Sequence, residues 1–158
     1  MKFDKIDLKI LREVQRDGSI TNLELADRVG LSPSPCARRI KQLEDSGVIE
    51  RRVTLLNPSL LGLKLIALIQ IAMDRHTPDR FEEFERQVSG YPEVVECSLI
   101  TGQSADYLVK AIVPDMEYYQ EFLLNKITRI KGVSDVHSSF IMRQVVKSTE
   151  LPLAHLQS

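Results

Sequence analysis

"LSPSPCARRIKQLEDSG", residues 31–47, sets two prolines where a helix should begin and gathers Arg38, Arg39 and Lys41 ahead of the first acid, Glu44. Neither proline forbids the helix. With Ser32 as the expected N-cap, Pro33 takes the first helical position and Pro35 the third, where backbone N–H groups have no intrahelical partner to lose. The spacing predicts a helix that starts at Ser32, buries Cys36, Ile40 and Leu43, and stops at Ser46-Gly47. The outward side then carries Ser34, Ala37, Arg38, Lys41 and Gln42, more cation and small polar residue than packing requires.

Working back toward the start, residues 4–16 place Ile6, Ile10, Leu11 and Val14 on one stripe of a helix that Asp17-Gly18 ends. Thr21 and Glu24 have the spacing of a capping box for a second helix running to Val29, and Gly30 supplies a sharp turn. Ala26 is small where these helices would cross, and Leu31 and Cys36 are apolar where their angle must be held. Working forward, "VIERRVTLL" (48–56) reads as two short strands bent near Glu50-Arg51. The sum is a winged helix-turn-helix over residues 1–58.

A helix entering the major groove needs small or polar residues at its head, side chains that match base edges, and flanking cations for phosphates. Ser32, Ser34, Pro35, Ala37, Arg38, Arg39, Lys41 and Gln42 fit that need, and Arg51 and Arg52 fit a wing on the neighbouring backbone. The plainer reading is a solvated cationic face on a small three-helix domain. Cys36 reads as a packing residue rather than a reactive thiol, because the apolar stripe includes it.

The totals limit the alternatives. A chain of 158 residues with 43% hydrophobic and 27% charged residues fits one ordinary domain or two small ones. Its net charge of −1 excludes a broad basic coat, so any nucleic-acid surface is local. Residues 1–52 hold 11 Lys/Arg against 9 Asp/Glu, and the remainder holds 10 against 13. The longest apolar stretch, 65–73, falls far short of the ~20 residues a membrane span needs. The opening "MKFDKIDLKILREV" lacks the apolar core of a secretory leader, which makes the cytoplasm the expected address. Cys36 and Cys97 form no disulfide framework, and His76, His137 and His155 are scattered, so no metal site is expected. No nucleophile–base set appears, and no enzyme is expected.

Past a linker at 59–64 the periods change. Strands are predicted at 65–73, 94–101, 107–113 and 133–146, with helices at 77–89 and 114–131. This β-α-β-β-α-β order is the ferredoxin-like arrangement within an α+β chain, with both helices on one face of an antiparallel sheet. The second domain is expected to span 65–158, its tail undecided between extending the last strand and crossing to a neighbour. Ile66, Leu68 and Ala72 make the first strand apolar on its open side as well, which predicts a homodimer that covers the sheet. The alternative is a strand end tucked under the linker.

Two segments, "DLKILREVQRDGSITNLELADRVGLSPSPCARRIKQLEDSGVI" and "VVECSLITGQSADYLVKAIVPD", resemble the leucine-responsive regulatory protein/asparagine-operon regulator (Lrp/AsnC) family of transcription regulators. The resemblance runs through nearly the whole chain. It implies a nucleoid-associated regulator of double-stranded DNA, its second domain a RAM (regulator of amino-acid metabolism), ACT-like module. It also implies dimers pairing through their sheets, often assembled into octamers, and an amino-acid effector, with leucine or another apolar amino acid as first guess and no other cofactor. Carried onto this chain, the effector candidates are Thr101, Gly102, Gln103, Ser104, Ala105, Asp106 and Tyr107, with Ser138 in the last strand. Chemically the loop suits a zwitterion: Gly102 lets the backbone come close, exposed N–H groups can hold a carboxylate, and Asp106 can meet an ammonium. The plainer reading is a β-turn in which Asp106 caps its own backbone. An architectural, nucleoid-organising oligomer is the alternative function.

Overall fold

The computed structural model describes residues 3–102 and 104–156. Its first helices are α1 (Lys5–Arg16), α2 (Asn22–Val29) and α3 (Pro33–Asp45). Local chemistry sets each start. The Asp4 carboxylate accepts from the N–H groups of Ile6 and Asp7, both at 2.8 Å, and the Asp7 carboxylate accepts from the Asp4 N–H at 3.1 Å. Thr21 and Glu24 make the expected reciprocal bonds at α2. Gly30, at φ 76°, ends that helix in the left-handed region, and the Leu31 N–H returns to the Ala26 carbonyl at 2.8 Å. At α3 the Ser32 side chain makes no capping bond. A capping serine bonds the N–H at the second or third helical position, and Pro35 has removed the third. Ile10, Leu25, Val29, Cys36 and Leu43 are nearly fully buried and form the centre of this unit.

The two short strands predicted at 48–56 do not form. Residues 50–57 carry no regular secondary structure, and Val53, Leu55 and Leu56 stay exposed. Glu50-Arg51 offers no residue suited to the positive φ of a tight hairpin turn, so the segment has no local means of folding back.

The chain divides into two compact units, one running through Leu55 and including the segment from Val146 onward, the other Leu56–Val145. The tail therefore departs from its expected place in the second domain. Gln15 offers a matched donor and acceptor to Leu151: its Nε2 donates to the Leu151 carbonyl at 3.1 Å and its Oε1 accepts from the Leu151 N–H at 2.9 Å. Arg16 pairs with Glu150 at 3.1 Å, and Leu153 packs on the helical core.

The second unit contains β1 (Leu65–Met73), α4 (Pro78–Val88), β2 (Val94–Leu99), β3 (Tyr107–Val113), α5 (Met116–Asn125) and β4 (Val133–Phe140). Every strand pairing is antiparallel, in the order β2-β3-β1-β4. Ala67, Ile69, Ile71, Val109 and Ala111 alternate onto one face and are buried with Phe84 and Val88 of α4 and Tyr119 and Phe122 of α5. The opposite face holds Ile66, Leu68, Leu108 and Ile112, none of them fully buried. β2 stops at Leu99, short of the predicted 101, and α5 and β4 also end earlier than predicted. α5 gives way to a 3₁₀ turn at Ile127–Arg129, and β4 stops at Phe140, after which the Ile141 N–H still reaches the Ile66 carbonyl, at 3.0 Å.

Candidate functional site

At 100° per residue, Ser34, Arg38 and Lys41 share one stripe of α3, flanked by Ala37 and Gln42 and opposite Cys36 and Leu43. All five outward residues are exposed, as is Ser32, while Pro35 is half-buried. Among the described residues Arg38 and Lys41 enter no ion pair, whereas Arg16, Arg28, Arg39 and Arg52 all do. This stripe can present guanidinium, ammonium and amide groups to base edges and phosphates, with small residues at the helix head to let the backbone approach.

Arg39 departs from its expected DNA-facing role. It sits 100° round from Arg38 and turns to α1, where its Nη1 lies 2.7 Å from Asp4 Oδ2 and 2.7 Å from Asp7 Oδ1. The Asp7 backbone N–H, and after it Arg39, holds the Asp4 carboxyl below the usual aspartate range, and the two acids raise the guanidinium in turn. Arg39 thus ties α3 to the capping box of α1. Asn22, which the sequence reading missed, adds a second tie: its side-chain amide donates to the Pro33 carbonyl at 2.9 Å. Arg51 and Arg52 sit on an irregular segment rather than a hairpin. Arg51 is exposed, and Arg52 lies 3.3 Å from Glu44 in an exposed pair that contributes little. Cys36 is fully buried, and desolvation pushes its thiol up, so it packs rather than reacts.

In the second unit, Thr101, Gly102 and Ser104 are exposed and Ala105 and Asp106 half-buried; Gln103 lies outside the described residues. Gly102 is not among the glycines with positive φ, and a Cβ there would meet nothing within 4 Å. The fold itself therefore makes no use of its small size. Among the described residues Asp106 makes no side-chain bond to the backbone of its own turn. Its N–H donates to the Ile71 carbonyl and its carbonyl accepts from the Ile100 N–H, both at 2.8 Å. Its Oδ2 accepts from the Met73 N–H at 2.7 Å, and its Oδ1 lies 2.8 Å from His76 Nε2.

Tyr107 and Ser138 are not on the loop's outer side. Strand alternation puts Tyr107 on the covered face, its ring centroid 4.4 Å from that of Phe84 and its hydroxyl donating to Glu85 at 2.6 Å. Burial, and after it the Glu85 carboxylate, pushes this hydroxyl well above the ordinary tyrosine range, so it stays protonated. Ser138 shares that face and hydrogen-bonds the Tyr119 hydroxyl. β1 separates the two, with Ile71 opposite Tyr107 and Ile69 opposite Ser138, so they stand roughly 10 Å apart or more by strand spacing. The fold brings Asp106 and His76 together instead. Among the described residues no cluster of His, Cys, Asp or Glu is placed to hold a metal, and no helix is long and apolar enough to cross a membrane.

Comparison with known proteins finds matches for both units of the chain. Residues 3–50 match a family described as winged helix-turn-helix DNA-binding, and residues 66–151 match the Lrp/AsnC ligand binding domain. The leucine-responsive regulatory protein of Escherichia coli K12 is 43% identical over 148 residues, covering 94% of this chain and 90% of that protein; its counterpart in Salmonella typhimurium LT2 gives the same figures. A solved transcriptional regulator from Neisseria meningitidis, in complex with L-Met, is 42% identical with a TM-score of 0.94, over 98% of this chain and 99% of that one. An AsnC family transcriptional regulator from Agrobacterium tumefaciens is 40% identical with a TM-score of 0.91, over 97% and 99%.

Proposed function

The chain belongs to the Lrp/AsnC family and is a DNA-binding transcription regulator with an effector-binding domain, not an enzyme; from that premise we propose how it reads DNA and what it senses. The observation that carries the reading is the outward stripe of α3. Ser34, Ala37, Arg38, Lys41 and Gln42 face solvent, and the two cations are committed to no partner among the described residues. These five enter the major groove, with Arg38 the main base contact and Lys41 on phosphate. Arg51, on its irregular segment, adds a backbone contact.

The effector is an amino acid, with leucine or another apolar one as first choice. A similar regulator, 42% identical, was solved with L-Met, and the matched domain is a ligand-binding one. We assign it to the 101–106 loop, where Asp106 meets the ammonium. The half-exposed face with Ile66, Leu68, Leu108 and Ile112 supports a homodimer pairing through the sheets. Met142 and Val145, exposed at 100% and 80%, favour further assembly, up to an octamer. Two reading heads would engage half-sites about 34 Å apart. Effector binding would alter affinity through a coupling of ~1–3 kcal/mol between assembly states. The working place is the cytoplasm, on the nucleoid.

Footprinting on genomic promoter fragments, with and without added amino acids, tests this. Protection of a few phased sites that shifts with one amino acid is expected. Uniform coating of every fragment, indifferent to amino acids, would leave the architectural function instead. Light scattering at micromolar concentration is expected to show dimers or multiples of dimers, and a stable folded monomer would end the sheet-pairing proposal.

A further inference from the structure

We propose that His76 competes with the effector at Asp106: its imidazole holds the carboxylate oxygen that an amino-acid ammonium would take, and the two exchange. This deepens the reading of the 101–106 loop as an amino-acid site and rests on it.

The two oxygens of Asp106 have different duties. Oδ2 is locked by the Met73 N–H at 2.7 Å, a backbone bond at the end of β1 that orients the carboxylate. Among the described residues Oδ1 faces only a side chain, His76 Nε2, at 2.8 Å. The carboxylate side chain is 20% exposed and the imidazole 70%, so the ring can swing out while the acid stays in place. His76 lies in the irregular stretch between β1 and α4, and that stretch is anchored on both sides of it. The Asp74 N–H donates to the Gly132 carbonyl at 2.7 Å, Arg80 Nε lies 3.3 Å from Asp74 Oδ1, and the Thr77 carbonyl takes the N–H groups of Arg80 and Phe81. The ring is mostly exposed, and among the described residues its aromatic neighbour is Phe81, tilted at 6.0 Å between centroids. Its departure therefore costs little packing.

An imidazolium and an α-ammonium make the same demand of a carboxylate: one N–H directed at an oxygen, with a positive charge behind it. Whether the ring is displaced or stays and repels the second cation, the sign is the same, and a protonated His76 weakens effector binding. The other charged groups nearby are Asp74 and Arg75 in the same stretch, Arg80 on α4, and Glu85, which lies beyond the Asp106 loop on the Tyr107 hydroxyl. Protonation of the imidazole adds the charge that competes, so effector affinity is expected to be weaker in acid than in base.

The experiment is calorimetric titration of L-methionine and L-leucine into the full-length protein at pH 6 and pH 8, for the wild type, His76→Ala, His76→Gln and Asp106→Asn. The asparagine keeps a carbonyl oxygen for the Met73 N–H, so the loop retains its anchor. Wild type is expected to bind about two- to fivefold more weakly at pH 6 than at pH 8, the range for an exposed ion pair. Both His76 variants should bind equally at the two pH values, at least as tightly as wild type at pH 8, and Asp106→Asn should lose binding at both. A pH dependence that survives without His76, or weaker binding by the His76 variants at pH 8, would overturn the competition while leaving the site in place. Undiminished binding by Asp106→Asn, or no binding of either amino acid to wild type, would remove the site itself and the competition with it.

Discussion

The outward stripe of α3 and the 101–106 loop differ in how the fold employs their side chains. On α3 the helical period separates two tasks. Cys36, Ile40 and Leu43 pack inward, Arg39 ties to Asp4 and Asp7, and Ser34, Arg38 and Lys41 are left facing out. The loop leads straight into β3, a central strand, and shares its residues with the core. Tyr107 packs on Phe84, and Asp106 serves Met73 on one oxygen while His76 sits at the other. A surface helix can dedicate a whole face to a ligand. A loop entering a sheet keeps only what the sheet does not need, here one carboxylate oxygen and a short exposed turn.

Tyr107 carries the largest expected effect. If it is a core residue, Tyr107→Ala should destabilise the second unit by about 3–5 kcal/mol, the range for deleting a buried aromatic. Tyr107→Phe should cost about 1 kcal/mol or less, because only the hydroxyl bond to Glu85 goes. Urea unfolding followed by far-UV circular dichroism measures both. Unaltered stability in the alanine variant would return Tyr107 to the list of effector contacts.

Arg39→Ala sharpens the contrast within α3. Arg39 is 30% exposed, so solvent screens its pairs, and a loss of about 1 kcal/mol in stability is expected rather than the several of a buried pair. Its duplex binding should keep the wild-type dependence on salt concentration. A direct phosphate contact would instead reduce that slope by about one unit. The smallest effect is in acid. A carboxyl held below its ordinary value, as at Asp4, adds stability that is complete above about pH 3.8 and disappears as pH falls through the lowered value. Acid unfolding of Arg39→Ala and wild type should therefore converge at low pH.

Much of this architecture was legible in advance, and for local reasons. The Thr21–Glu24 box, the two prolines at the head of α3 and the lengths of the apolar stretches depend on neighbours in sequence, and each appears where expected. The orientation of Tyr107 is legible too, since it has the parity of Val109 and Ala111 on β3, although the family resemblance points to it as an effector contact. What could not be read depends on distant partners. Arg39 meets acids more than thirty residues away, His76 meets Asp106 across thirty, and Gln15 holds Leu151 at a separation of 136. The hairpin at 48–56 failed for the opposite reason: alternation suggests a strand but does not supply a partner for it.

The central claim is that the stripe led by Arg38 reads DNA, and fluorescence anisotropy tests it most directly. A duplex taken from a footprinted site and a scrambled duplex of the same composition would each be titrated with wild type and Arg38→Ala across a range of salt. A good base contact carries ~1–3 kcal/mol, so the variant should bind the specific duplex roughly 5- to 150-fold more weakly, with a smaller loss on the scrambled one. Superimposable isotherms for the two proteins on the specific duplex would contradict the account.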